Sequence, residues 1–330
     1  MSEYGDEIGY GHTERVKVFL ENAPKDLFKI VELNIHNISK DLISELNSKE
    51  LIEIMKMVNS ADVSVLVIDG SSEKFKSFVQ NISESFKVVV LLTPLFDINH
   101  SFKIGVSRAC SPPNCWKVDS FRSLLLGPEY SIFRLIHSKF RFFRILRNLM
   151  LEMKVHRFQK RNVKILISLG KFPNTSSLQL IISFLKSLQK LIILDLVEVY
   201  ITVPDLSYQN LTNLNTNNFK VNITLNNGID ISDFQKWDYV VTGGGLTLME
   251  FLSLGFRCIV LPVHSFQEDF LKDLDSKLIF NFKNIEGDKY YSIFRSWMQQ
   301  RISPREYLNI FIRFQANSSK KIWYEILEVI

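Results

Sequence analysis

Cysteine is scarce in this chain. Three cysteines occur among 330 residues, at positions 110, 115 and 258, and no two of them have C-x-x-C spacing. Their odd number and their spacing argue against a disulfide framework or a zinc site and favour a reducing compartment. We therefore expect neither a metal site nor a cofactor.

Long apolar runs are also missing. The most apolar segment, residues 191–203, contains Asp195 and Glu198 and is too short to span a bilayer. The first seven residues are acidic and lack the apolar region of a secretory signal. We expect a cytoplasmic protein.

Charge is neither high nor strongly biased. The formal net charge is +5, with 23% charged and 46% hydrophobic residues. This mild basicity suits an anionic small ligand and does not demand nucleic acid. The length predicts two globular domains of ordinary size. Nothing in the sequence indicates an oligomeric state.

The most informative stretch is residues 238–255, an apolar strand that runs into three glycines and then an apolar helix. Gly243, Gly244 and Gly245 can adopt positive φ and carry no Cβ. A pyrophosphate could therefore approach the N–H groups at the start of the helix, where the helix dipole favours an anion. An ordinary strand-to-helix turn would have the same glycines.

Two polar residues on the helix favour the binding interpretation. Thr247 falls in the first turn, and Glu250 lies one turn further on, where a carboxylate could accept both hydroxyls of a ribose. Gly255 is predicted to be the C′ residue that ends the helix.

The N-terminal half alternates strands with helices. Residues 63–69 and 87–92 are predicted strands, 73–84 a helix, and 123–126 a further short strand. Residues 93–120, which contain three prolines, are predicted to be irregular. The alternation favours parallel strands covered by helices.

The chain begins with a glycine-punctuated turn at residues 8–15, which is predicted to enter a helix that ends near Asn22. In a doubly wound domain such a turn follows a buried first strand, but only a few polar residues precede Ile8. The usual first strand is therefore missing: either the start lies upstream, which we favour, or the domain lacks that strand.

A second alternation follows a long basic segment. Residues 131–162 are predicted to form a basic amphipathic helix, for which a solvated helix packed on the core is favoured over contact with a membrane surface. Beyond it, the predicted strands are 163–170, 197–203, 219–225, 239–241, 258–261 and 278–282. We predict two Rossmann-like α/β domains, residues 1–133 and 159–330, which face one another across a cleft and are linked by the basic helix at 134–158.

Four segments, in this order and spacing, resemble one enzyme family: Gly9-Tyr-Gly-His-Thr-Glu-Arg15, Leu125-Leu-Gly-Pro-Glu-Tyr-Ser-Ile-Phe-Arg134, Ile165-Leu-Ile-Ser-Leu-Gly170 and Thr242-Gly-Gly-Gly-Leu-Thr-Leu-Met-Glu250. The family is the UDP-sugar hydrolase of the pseudaminic acid pathway, with the similar spore-coat polysaccharide proteins and, more remotely, the MurG-like GT-B glycosyltransferases. The resemblance covers almost the whole chain. It implies a GT-B-like fold and the removal of UDP from a UDP-linked amino-deoxy sugar.

The resemblance also implies roles for individual residues. His12 would be catalytic, near the anomeric carbon. A helix N-terminus suits this role because its dipole disfavours imidazolium and keeps a neutral base, although a lone histidine there is more often a cap. The residues implied for the substrate are Gly9 and Gly11 beside the sugar, Gly170 after the first strand of the second domain, Gly244, Gly245, Thr247 and Glu250 on the UDP, and Gln267 after the next strand.

Three positions depart from the family pattern. Phe266 replaces the asparagine of an Asn-Gln pair, Ser71 replaces a tyrosine, and Gly170 is followed by Lys-Phe-Pro where the family has Gly-x-Asp. The nucleotide side is kept better than the sugar side. Asp69, at a strand's carboxyl end where open α/β sheets bind ligands, is a further candidate for the substrate, or a helix cap.

Three hypotheses stay open. The first is a metal-independent UDP-sugar hydrolase in surface-glycan or nonulosonic acid synthesis. The second is a GT-B glycosyltransferase that uses a UDP-sugar donor. The third is a non-catalytic relative that binds nucleotide sugars.

Overall fold

In the computed structural model, two compact units are formed, one by Met1–Arg134 with Gln315–Ile330 and the other by Leu135–Phe314. The structure describes residues 11–24, 65–70, 72–92, 96–133, 146, 162–169, 175–190, 196–203, 213, 219–225, 236–262, 265–272, 274–282, 292–294, 296–297, 300, 302–314 and 318–329. The predicted basic helix at 134–158 lies outside these residues, apart from position 146.

The first unit contains a parallel sheet of four described strands in the order β1-β2-β3-β4. Successive strands pair in parallel, so each connection returns to the same end of the sheet. Its elements are α1 (Gly11–Glu21), β1 (Val65–Ile68), α2 (Glu73–Ser83), β2 (Val88–Leu91), β3 (Lys103–Ser107) and β4 (Ser123–Leu126), followed by a 3-10 turn at Pro128–Tyr130.

Strand β3 corrects the prediction that residues 93–120 are irregular. Its sequence, KIGVS, is short and begins with a lysine, so it lacks the apolar pattern of a buried strand. Lys103 is nevertheless 2% exposed, because its Nζ donates to Asp97 Oδ1 at 2.5 Å and to the Ile98 carbonyl at 2.7 Å. A buried ammonium is tolerated where it is paired and hydrogen-bonded.

The second unit contains a six-stranded sheet in the order β10-β9-β8-β5-β6-β7, with every pair parallel. Buried strands of this kind are apolar on both faces, which is why they are readable as continuous runs. Its elements are β5 (Asn162–Ser168), α3 (Thr175–Lys190), β6 (Leu196–Val203), β7 (Phe219–Leu225), β8 (Tyr239–Thr242), α4 (Leu246–Ser253), β9 (Cys258–Val260), α5 (Ser265–Leu271), β10 (Ile279–Asn281) and α6 (Pro304–Arg313).

The last helix, α7 (Ser318–Val329), belongs to the first unit. Trp323 stacks on Phe19 of α1 with ring centroids 4.6 Å apart, and its Nε1 donates to the Phe19 carbonyl at 2.9 Å. Both helices pack in one hydrophobic cluster with Val90 and Ile104 of the sheet, while α2 covers the opposite face. The first sheet is thus covered on both faces, and the predicted α/β class with parallel sheets is confirmed.

Candidate functional site

The carboxyl ends of β5 and β8 mark the switch point of the second sheet. β6 and β7 lie on one side of β5, whereas β8, β9 and β10 lie on the other. Ser168 of β5 pairs with Thr242 of β8 at this end. Open parallel sheets bind ligands at such a point, because the connections from the two central strands leave in opposite directions and open a crevice. The three glycines follow Thr242, so the chain places them at this crevice.

Gly244 is required for close packing. A Cβ on this residue would lie 2.6 Å from the Cβ of Gln267 on α5, a separation that real Cβ atoms do not reach. The Gly244 N–H also donates to Oε1 of Gln267 at 3.3 Å, and Gln267 is 8% exposed. The structure therefore brings together two residues that the sequence assigned to the substrate from separate motifs.

Positive φ is not the reason for this glycine turn. The described glycines with positive φ are Gly127, at 122°, and Gly255, at 81°. The turn therefore does not use the left-handed conformation that glycine permits. The glycines matter because they carry no Cβ.

Gly245 leaves that space open. It is the N-cap residue of α4 and has no side chain to cap the helix, and a Cβ placed on it would meet no atom of the described residues within 4 Å. The N–H groups at a helix start need acceptors that the helix itself does not supply. A phosphate group could be such an acceptor, and Gly245 allows it to approach.

The outward face of α4 carries the two predicted polar residues. Thr247 and Glu250 are half-buried and are separated by three positions, which places them on the same side of the helix. The opposite side is apolar and fully covered, with Leu248 and Leu252 both at 0% exposure. The helix is thus held by its core face while Thr247 and Glu250 face away from that core.

Helix α4 ends as predicted at Gly255. The Gly255 N–H donates to the Leu252 carbonyl at 2.9 Å, and the Phe256 N–H donates to the Phe251 carbonyl at 3.1 Å. With φ of 81° at Gly255 and the Phe251 and Phe256 rings in edge contact at 5.6 Å, this is a Schellman ending. The predicted C′ residue is confirmed.

Sequence reasoning missed the hydroxyl of Thr242. This residue is fully buried at the end of β8, and within the described residues its Oγ1 has no hydrogen-bond partner. A buried hydroxyl without a partner is costly, so a polar group of a ligand is a natural acceptor or donor for it. In the sequence, the feature that could have pointed to Thr242 is its position directly before the three glycines.

The catalytic candidate lies in the first unit. Helix α1 begins at Gly11, so His12 is the second residue of a helix of eleven residues. The side chain of His12, and the whole of Gly9 and Gly170, lie outside the described part of the structure.

Asp69 has a partner from the N-terminal motif. Its carboxylate is fully buried directly after β1 and accepts two hydrogen bonds from Arg15, from Nε to Oδ2 at 2.5 Å and from Nη2 to Oδ1 at 2.7 Å. Such a bidentate pair fixes the orientation of both groups. The arginine of the Gly9–Arg15 motif therefore ties α1 to the carboxyl end of β1.

The described residues lack two further features. They contain no group of three or more His, Cys, Asp and Glu side chains placed to hold a metal ion. They also contain no helix that is both long and apolar enough to cross a membrane.

No protein-family model matches the sequence, and no curated protein sequence is significantly similar to it. Solved structures are similar. UDP-GlcNAc 2-epimerase from Neisseria meningitidis, bound to UDP-GlcNAc, aligns over 97% of this chain and 89% of its own, with a TM-score of 0.54 and 12% identity.

Two further structures align over somewhat less of the chain. MurG from Acinetobacter baumannii covers 83% of this chain and 76% of its own, with a TM-score of 0.51 and 10% identity. The glycotransferase of kitacinnamycin covers 87% of this chain and 81% of its own, with a TM-score of 0.54 and 12% identity. This chain has a GT-B-like fold. At these identities the likeness of the GT-B-like structures concerns the fold alone.

Proposed function

We propose that this protein binds a UDP-sugar and hydrolyses it at the anomeric carbon, with release of UDP and a free amino-deoxy sugar for surface-glycan or nonulosonic acid synthesis. The observation that carries the proposal is the glycine turn at the switch point of the second sheet, where Gly245 leaves the start of α4 open. The similar epimerase structure, which contains UDP-GlcNAc, supports the choice of nucleotide sugar.

The diphosphate is proposed to lie at the start of α4. Its oxygens would lie beside Gly244 and accept hydrogen bonds from the N–H groups of Gly245 and of the first turn of α4, with the hydroxyls of Thr242 and Thr247 as further donors. These fixed donors would stabilise the negative charge that develops on the departing UDP, without proton transfer to it. The Glu250 carboxylate would accept hydrogen bonds from the ribose hydroxyls.

His12 is proposed to be the general base. It would take a proton from water as the water oxygen bonds to the anomeric carbon and the bond from that carbon to the UDP oxygen breaks. A residue in the first turn of α1 lies in the positive field of the helix N-terminus, which disfavours imidazolium and leaves imidazole able to accept the proton.

The test is an assay of purified protein with candidate UDP-sugars, in which UDP release is measured without any acceptor. Release by water alone supports hydrolysis. Calorimetry with UDP tests the site separately: Glu250→Ala should weaken binding by about 1.5–3 kcal/mol, the cost of losing charge-assisted hydrogen bonds. Glu73→Ala, at an exposed carboxylate on α2 of the first unit, is the matched control and should leave UDP affinity unchanged.

Transfer to an acceptor is the second candidate. The glycotransferase of kitacinnamycin shares the fold, and the altered positions Ser71 and Phe266 leave room for a different sugar-side chemistry. UDP release that requires an added acceptor would select this function. Tight UDP binding without turnover under either condition would identify a non-catalytic binding protein.

A further inference from the structure

A row of residues crosses three neighbouring strands at the carboxyl edge of the second sheet. Asn281 of β10 and Thr242 of β8 both pair with Val260 of β9, so the three residues lie in one row. Residues in register on adjacent parallel strands point their side chains to the same face of the sheet. Asn281 and Thr242 therefore share a face and lie two strand spacings, or about 10 Å, apart.

The row points away from the hydrophobic cluster that contains α3. Val241, Ile259 and Phe280, which directly precede the three members of the row, all lie in that cluster. Because side chains alternate along a strand, the row belongs to the opposite face. The glycine turn adjoins this part of the sheet, since Gln267 of α5, the helix that connects β9 to β10, packs against Gly244.

Each end of the row carries a buried polar atom. Thr242 Oγ1 and Asn281 Oδ1 are both shielded from solvent, and neither has a hydrogen-bond partner among the described residues. Asn281 as a whole is only partly buried, so its carboxamide can be reached from the edge of the sheet. An unsatisfied buried acceptor destabilises the free protein, and a ligand that donates to it removes this penalty on binding.

We propose that Asn281 recognises the sugar of the nucleotide sugar, with Oδ1 accepting a hydrogen bond from an N–H or O–H group on the sugar. The inference rests on the proposed function, which places the diphosphate at the glycine turn directly after Thr242. A diphosphate and the pyranose attached to it together extend about as far as the row from Thr242 to Asn281. A ligand without the donor would leave the acceptor unpaired, so Asn281 contributes to specificity.

The experiment compares UDP, UDP-GlcNAc and UDP-glucose in calorimetric titrations of the full chain and of Asn281→Leu. Leucine has nearly the shape of asparagine but no acceptor. We expect UDP to bind as in the parent protein and at least one UDP-sugar to bind roughly tenfold more weakly or worse, as loss of a buried hydrogen bond implies. Asn309→Leu, at an exposed position on α6, is the matched control and should leave all three affinities unchanged.

The two sugars identify the donor, because they differ only in the substituent at C2. A loss confined to UDP-GlcNAc assigns the donor to the acetamido N–H, and a loss confined to UDP-glucose assigns it to the C2 hydroxyl. Equal losses assign it to a hydroxyl that both sugars carry. If Asn281→Leu binds both sugars as tightly as the parent protein, the proposal is overturned.

Thermal unfolding separates recognition from a structural role. Since Oδ1 has no partner among the described residues, Asn281→Leu should keep or raise the melting temperature. A variant that melts earlier and binds all three ligands more weakly would make Asn281 structural and overturn the proposal. Asn281→Ala repeats the comparison if leucine prevents folding.

UDP alone distinguishes this inference from the function on which it rests. If the parent protein does not bind UDP, the proposed nucleotide site fails and the role of Asn281 fails with it. If the parent protein binds UDP and Asn281→Leu keeps full affinity for both UDP-sugars, only the role of Asn281 fails.

Discussion

The backbone of Gly244 packs against the side chain of Gln267. A Cβ added to the glycine would lie 2.6 Å from the Cβ of the glutamine. Since both Cβ positions are set by the backbone, no rotation of a side chain relieves this contact. A side chain at position 244 could therefore be accommodated only if the glycine turn or α5 moved.

Gly244→Ala should destabilise the protein by about 1–3 kcal/mol, the usual cost of overpacking, and should weaken UDP binding because the turn is displaced. Gly245→Ala separates these effects. Its Cβ meets no atom of the described residues within 4 Å, so stability should change by no more than about 1 kcal/mol, because the poor N-cap propensity of alanine opposes its smaller loss of chain entropy, while UDP affinity should fall if the diphosphate occupies that space. Thermal unfolding and UDP calorimetry on both variants check this. Wild-type UDP affinity in Gly245→Ala would remove the diphosphate from this position.

Gly255→Ala should cost about 1–2 kcal/mol of folding free energy, because φ of 81° places a Cβ in the strained left-handed region. Gly243→Ala is the control. Its nearest contacts would be ordinary ones, at 3.7 Å from the Leu169 carbonyl oxygen and 4.0 Å from that of Leu261. Urea unfolding should show the loss in the first variant only; equal losses would refute the conformational explanation.

Glu306→Gln should lower the melting temperature at pH 7 and have a progressively smaller effect in acid. Its hydrogen bond from Lys277, assisted by Ser303, lowers the pKa of Glu306 from 4.5 to about 2. Ser303 and Glu306 also form a reciprocal capping box at the start of α6. A lowered carboxyl pKa stabilises the fold above pH 4.5, and that stability is lost as the pH falls toward 2. Melting curves at pH 7 and pH 3 test this, and a pH-independent difference would contradict it.

His12→Asn should leave UDP affinity nearly unchanged and lower turnover by roughly 10²–10⁴, the usual contribution of a general base. Asparagine is well tolerated near a helix N-terminus, so stability should change little. Steady-state kinetics and UDP calorimetry on the same preparation provide the check. A parallel loss of stability, UDP binding and activity would assign His12 a structural role, and full activity would direct the search toward Asp69.

Much of the fold was readable from the sequence because its strands are buried on both faces. The predicted strand at 163–170 is mostly apolar and corresponds to β5, Asn162–Ser168, in the middle of its sheet. The predicted strand at 219–225 instead alternates apolar and polar residues, which suits β7 at the edge of that sheet. The end of α4 at Gly255 could also be predicted from the local sequence, because glycine is the residue type that favours the positive φ found there. Strand β3 was not readable, because Lys103 becomes compatible with burial only when Asp97, six residues earlier, folds back onto it.

For the candidate site, the sequence by itself determined the local pieces: the glycine turn, the helix with Thr247 and Glu250, and the motif that begins α1. Tertiary structure alone decided which pieces meet. Gly244 contacts Gln267, 23 positions away, and Arg15 pairs with Asp69, 54 positions away. Such contacts depend on strand order and register, which arise from the packing of whole elements. No local pattern of residues encodes them, and for that reason only the folded chain showed that the arginine of the first motif neutralises a buried carboxylate.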